Sequence, residues 1–153
     1  MGETETRRLP FSRIDQVGVI VKDMDKAIEY YEALGIGPFK PLNVTHTERK
    51  VYGKVVHDVK NIVRVAQMGQ VELELVQPVS GESLQMEFFK RHGEGINHLC
   101  FFVDDLDKEV ANVVNRGFKL IASVKYLGGG GTAWFDTDEV GGVLFELAQR
   151  PPQ

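Results

Sequence analysis

Residues 96–108 read Ile96-Asn97-His98-Leu99-Cys100-Phe101-Phe102-Val103-Asp104-Asp105-Leu106-Asp107-Lys108, an apolar strand with one imidazole followed by a helix start. The same grammar occurs earlier in Ile14-Asp15-Gln16-Val17-Gly18-Val19-Ile20-Val21-Lys22-Asp23-Met24-Asp25-Lys26. Ile14 stands over Ile96, Gln16 over His98, Val21 over Val103, and Asp23, Asp25 and Lys26 over Asp105, Asp107 and Lys108, every pair 82 positions apart. Gly35 and Gly117, each ending the following helix, keep that offset. A register held this long marks two copies of one module.

A chain of 153 residues has room for one well-buried core, so two modules of this size should share it. With 18 basic against 22 acidic residues the formal charge is -4, which argues against nucleic-acid and acidic-membrane partners. No apolar run approaches bilayer length, and the first ten residues lack an apolar signal core. Cys100 is the lone cysteine and cannot form an intrachain disulfide, which suits a reducing compartment. A cytoplasmic protein is expected.

In chain order, residues 1–12 read as a frayed polar leader, 14–21 as a buried strand, and the following stretch as a helix begun by Asp23 and stopped by Gly35. Strands are expected over 39–47, about 54–68 and 71–76, the last ending at Pro78. A short amphipathic helix over roughly 83–92 occupies the linker 79–95. The second copy then gives a strand over 96–103, a helix over about 105–116, strands over 118–126, 132–137 and 143–148, and a tail from Arg150. Each module is strand, helix and three strands. The expectation is an α+β chain with a single domain over 13–148, built from modules 13–78 and 96–148 whose curled sheets lie side by side as a cup.

Strand side chains alternate faces, so His98 is expected to share one with Ile96, Cys100 and Phe102, Glu146 with Leu144 and Ala148, and Glu74 with Glu72 and Val76. A carboxylate inside a run such as Val143-Leu144-Phe145-Glu146-Leu147 needs a partner when buried. His98, Glu146 and Glu74 offer one nitrogen and two carboxylates, and Gln16 can add an amide oxygen. This mixed donor set suits a hard or borderline divalent ion with positions left open for substrate.

Gly93-Glu94-Gly95-Ile96-Asn97-His98-Leu99, Glu74-Leu75-Val76-Gln77-Pro78 and Gly141-Gly142-Val143-Leu144-Phe145-Glu146-Leu147 resemble segments of the vicinal oxygen chelate superfamily, and within it methylmalonyl-CoA epimerases most. The superfamily also takes in glyoxalase I, extradiol dioxygenases and antibiotic-resistance proteins. The resemblance implies a curled eight-stranded mixed sheet and one divalent ion (Co, Ni, Zn, Mn or Mg) held by Gln16, Glu74, His98 and Glu146. The epimerases commonly have histidine where Gln16 stands, while some glyoxalase I enzymes have glutamine. Epimerases of this kind also use an additional glutamate as a second acid-base group, for which Glu48 is the candidate by order.

A divalent ion holding two neighbouring substrate oxygens acidifies the intervening C–H, and a nearby carboxylate can take and return the proton. Glu146 is the expected base, with Glu48, Glu72, Glu74 or His57 as partner on the opposite face. Tyr52, Arg64, Gln67 and Trp134 are expected to line the substrate pocket, and Gly128-Gly129-Gly130-Gly131 can offer backbone donors to an anionic group. The expected function is a metal-dependent epimerase or isomerase acting on a small molecule with vicinal oxygens, methylmalonyl-CoA epimerase-like. The alternatives are a glyoxalase I-type lyase and a non-catalytic small-molecule binder. A homodimer is expected from the resemblance.

Overall fold

The computed structural model describes residues 9–152. Ten strands form one mixed sheet: β1 (Gln16–Ile20), β2 (Lys40–Pro41), β3 (His46–Val51), β4 (Lys54–Val56), β5 (Lys60–Met68), β6 (Val71–Ser80), β7 (Gly95–Phe102), β8 (Leu120–Tyr126), β9 (Gly131–Phe135) and β10 (Leu144–Gln149). The helices are α1 (Met24–Ala33), α2 (Leu84–His92) and α3 (Leu106–Asn115). The strand order is β2-β5-β6-β1-β7-β10-β9-β8-β3-β4. β1 and β7 meet antiparallel at the middle, and each is flanked by the parallel last strand of its own half, β6 or β10.

The internal repeat reaches the capping bonds. Asp23 accepts from the Lys26 amide and Asp105 from the Lys108 amide, both at 3.1 Å. Gln77 Oε1 accepts from the Met24 amide and Gln149 Oε1 from the Leu106 amide, so each last strand ties down its own helix start. On the helix side of the sheet, Val21, Met24 and Leu75 form one core under α1. Phe101, Val113, Ala133, Phe135 and Leu147 form another under α3. The other face is the inside of the cup, where Val51, Leu84, Ala122, Trp134 and Leu144 pack together. Leu84 belongs to α2, so the linker helix closes part of the cup.

The sheet has ten strands where eight were expected. Gly35 and Glu74 are 39 residues apart but Gly117 and Glu146 only 29, so the first half carries ten more residues between helix and last strand. They form the β3–β4 hairpin, turned at Tyr52-Gly53, which both have positive φ as a two-residue hairpin turn requires. The hairpin leaves its own half and pairs with β8 of the other. The strand expected over 39–47 shrinks to β2 in consequence.

Three further expectations change. β6 runs through Pro78, which pairs with Asn61 of β5 beyond the last β1 partner, Val76, where no ladder needs its missing N–H. The leader expected over residues 1–12 lies outside the described residues as far as 8, but Leu9 and Phe11 pack onto the α3 core, Phe11 edge-on to Phe101 at 5.0 Å. The glycine run turns β8 into β9. There, Gly130 and Gly131 lie so close to the carbonyls of Gln149 and Val124 that a Cβ would collide. Among the described residues no helix is long and apolar enough to cross a membrane.

Candidate metal centre and cup

The sheet order β6-β1-β7-β10 sets four polar side chains side by side on the inner face: Glu74 from β6, Gln16 from β1, His98 from β7 and Glu146 from β10. His98 is fully buried. Its Nδ1 bonds Oδ1 of Asn97, the extra residue where the β1–β7 register shifts. The other ring nitrogen, Nε2, faces Gln16 Oε1 at 3.2 Å, Glu146 Oε2 at 3.2 Å and Glu74 Oε1 at 3.5 Å.

Burial lowers the His98 pKa to about 3, so the ring is neutral. With Nδ1–H given to Asn97, Nε2 presents a lone pair to three oxygens that are themselves acceptors. Glu146 Oε2 makes no hydrogen bond at all. Burial, and then the Glu74 charge, push the Glu146 carboxyl well up, against the nearby Arg150 cation. Burial likewise raises Glu74 to about 7. The cluster lacks positive charge at its centre.

Each of the three oxygens stands about as far from Nε2 as one ligand of an ion stands from another. With donors about 2.1 Å from a divalent cation, neighbouring donors stand about 3.0 Å apart in an octahedron and about 3.4 Å in a tetrahedron. Counting ionisable ligands alone, no group of three or more His, Cys, Asp or Glu among the described residues is set to hold a metal ion. Donor chemistry and spacing therefore fit a coordination shell, without closing into a finished one.

A second tier fixes Gln16. Its Nε2 donates to Glu72 at 3.1 Å, which aims its carbonyl oxygen at the centre. Arg150 holds Glu72 through two hydrogen bonds and lies over the Phe102 ring at 4.4 Å. Reading Arg150 as part of a tail missed this role, since nothing local in Gln149-Arg150-Pro151 signals a buried partner.

The shifted carboxyls make a pH prediction. A folded-state pKa above the unfolded one contributes stability that is complete below the ordinary carboxylate range and is lost as pH rises through the folded value, about 7 for Glu74. The melting temperature of metal-free protein should therefore fall from about pH 5 to about pH 8, and a divalent ion should restore it at the upper end. Thermal melts with and without metal check this; a flat profile in chelator would contradict the buried-charge account.

Beyond the four donors lies a cavity of about 200 Å³, lined among others by His46, Arg49, Asn61, Tyr126, Thr132 and Trp134 as well as Glu74 and Glu146. Trp134 stands edge-on to His98 at 4.6 Å. Other expected site residues lie elsewhere. Glu48 points out of the cup toward Lys125 at 3.6 Å, alternating with Arg49 and Val51, which face in. Tyr52 is exposed at the hairpin turn, where it donates to Glu87. Arg64 is opposite Leu75 and so shares the α1 side of the sheet, where it donates to the Val63 carbonyl. Gln67 is exposed and donates to the Gly69 carbonyl, and His57 is exposed outside the cavity lining. Arg49 and His46 were not anticipated because the segment that carries them has no counterpart in the second half.

Known proteins agree with this architecture. The family model described as glyoxalase/bleomycin resistance protein/dioxygenase superfamily matches residues 15–135. The uncharacterized protein YqjC of Bacillus subtilis (strain 168) is 28% identical over 141 residues, covering 90% of this chain and 92% of its own. The mitochondrial methylmalonyl-CoA epimerase of Bos taurus is 26% identical over 141 residues, covering 90% of this chain and 74% of its own. The crystal structure of methylmalonyl-CoA epimerase from Mycobacterium tuberculosis, 22% identical, superposes with a TM-score of 0.65 over 96% of this chain and 95% of that one. With a repeated half, a curled mixed sheet and a match over most of its length, the chain belongs to the glyoxalase/bleomycin resistance protein/dioxygenase superfamily.

Proposed function

We propose that this chain is a divalent-metal-dependent isomerase that moves a proton on a carbon next to a carbonyl, in the manner of methylmalonyl-CoA epimerase. The observation that carries the reading is the convergence of Gln16, Glu74 and Glu146 oxygens on the bare Nε2 of His98. The similarity to a named epimerase over 90% of the chain supports it.

Gln16, Glu74, His98 and Glu146 would hold the ion, whose Lewis acidity, when bound, lowers the pKa of the C–H between two chelating oxygens. The chain supplies the rest. Glu74 and Glu146 come from strands on opposite sides of the central β1–β7 pair, so they can reach a substrate from two directions. Burial raises both carboxyls in the metal-free chain, and a bound divalent ion would lower them again, holding both as carboxylates able to accept a proton. Asn97 holds the His98 ring, while Glu72 and Arg150 hold the Gln16 amide, so the donors enter the reaction already oriented. Trp134 and the closure by α2 keep the wall near His98 dry.

A glyoxalase I-type lyase is the second reading, favoured by the glutamine at position 16 and by the position of Glu48 outside the cup. Both readings need proton exchange. Metal-loaded protein incubated with methylmalonyl-CoA in deuterium oxide should place deuterium on the carbon between the two carbonyls, read by mass spectrometry. No exchange there, with lactoyl thioester formed from a thiol–methylglyoxal adduct, would replace the epimerase with the lyase. No reaction with either substrate leaves the chain a binder.

A further inference from the structure

On the reading of the site given above, we propose that the β3–β4 hairpin adds a carboxylate-binding subsite to the cup. Arg49 is its fork and Lys60 its rim, so the preferred substrate carries an acid group besides the two oxygens offered to the His98 centre.

Arg49 lies on β3 opposite Val124 and lines the same cavity as Glu74 and Glu146. It is half-buried, and burial lowers its pKa below the ordinary arginine range. Among the described residues no Asp or Glu pairs with it. Its one side-chain hydrogen bond goes to Nδ1 of His46 at 3.0 Å, and His46 in turn stacks on Tyr126 with ring centroids 5.6 Å apart. A neutral imidazole that accepts from one guanidinium nitrogen fixes the orientation of the fork and leaves its other donors free for a ligand. The nearby lysines and glutamate of the hairpin do not serve this purpose, since Lys50 and Glu48 pair with each other at 3.8 Å and neither lines the cavity.

Charge points the same way. A divalent ion held there would balance Glu74 and Glu146, leaving Arg49 and Lys60 as the other charged side chains of the lining. A half-buried guanidinium that lines a cavity and has no Asp or Glu paired with it among the described residues is a site for an anion, and its planar fork matches a carboxylate. Size is compatible: a round space of about 200 Å³ is about 7 Å across, room for a short acyl chain beside the donor cluster.

Two 2-oxo acids test this. Pyruvate and 2-oxoglutarate offer the same vicinal oxygens, and only the second has a distal carboxylate. By titration calorimetry on cobalt(II)-loaded protein, 2-oxoglutarate should bind about ten- to a hundredfold more tightly than pyruvate. Arg49→Met should remove that preference while pyruvate affinity stays unchanged, and Lys50→Gln, which removes a neighbouring charge outside the cavity, should keep it. Equal binding of the two acids by the unaltered protein overturns the subsite, and so does a preference that survives in Arg49→Met. The unaltered-protein comparison decides even where a variant fails to fold. Pyruvate binding without a dicarboxylate preference removes the subsite alone, whereas absence of binding by either acid removes the chelating centre with it.

Discussion

Replacing Gly18 by alanine is expected to expel His98 from the centre of the site. Gly18 on β1 pairs with His98 on β7, and a Cβ built there would lie 1.8 Å from Cε1, 2.2 Å from Nδ1 and 2.4 Å from Nε2 of the imidazole. The ring has nowhere to retreat, since it is fully buried and has Trp134 edge-on at 4.6 Å. Either β1 and β7 separate at the middle of the sheet, or the imidazole rotates away and gives up the contacts of Nε2. Overpacking of this kind costs about 1–3 kcal/mol, which in a chain of this size lowers the melting temperature by roughly 2–12 °C. Loss of one ligand should weaken metal binding by about a hundredfold or more, given that disturbing only the groups behind a ligand costs ten- to a hundredfold. Thermal melts and equilibrium dialysis against cobalt(II) measure both. Unaltered metal affinity would show that His98 is not part of the shell.

The same pair explains why Cys100 is small. The repeat offset makes Cys100 the counterpart of Gly18, and the ladder puts Gln16 opposite Cys100 as it puts His98 opposite Gly18. Each site side chain therefore lies across from a small residue on the neighbouring central strand. Burial and then the Glu146 and Glu74 charges push the Cys100 thiol up, so it stays protonated and acts as packing.

The helix caps and the face of each donor within its own strand were legible because each depends on local spacing, and the repeat because its offset is constant, whereas the grouping of the four donors came from the resemblance. An N-cap needs an acceptor three residues before an amide, and a strand shows its faces with period two. The destination of the β3–β4 hairpin was not legible. A strand pattern states that a segment will pair without stating with whom, and this hairpin pairs with β8, more than seventy residues away. Its β-bulge at Thr47 defeats period-two counting as well, setting His46 on the cup side with Arg49. Arg64 failed for a different reason: on β5 the inward residues are Val63 and Val65, opposite Val76 and Glu74, and a large cation at the position between them looks equally plausible until the β6 register is known.

Glu146→Gln should retain ligand binding and lose proton transfer, because the amide keeps an oxygen for the ion and removes the basic site. Positioned general bases contribute about 10²–10⁴ in rate, and a drop of that order is expected in solvent exchange at saturating metal. The pattern across substrate stereoisomers carries more information than the size of the drop. If Glu74 and Glu146 each serve one face, Glu146→Gln stops exchange from one epimer of methylmalonyl-CoA and leaves the other exchanging through Glu74 without inversion, while Glu74→Gln does the reverse. If Glu146 alone carries the proton, as a one-base lyase requires, Glu74→Gln leaves exchange largely intact once metal is saturating and only raises the metal concentration needed. Metal content must be measured in each variant, since both side chains belong to the proposed shell. Exchange at the unaltered rate in Glu146→Gln would remove Glu146 from the chemistry and leave its raised carboxyl as a consequence of burial and the Glu74 charge.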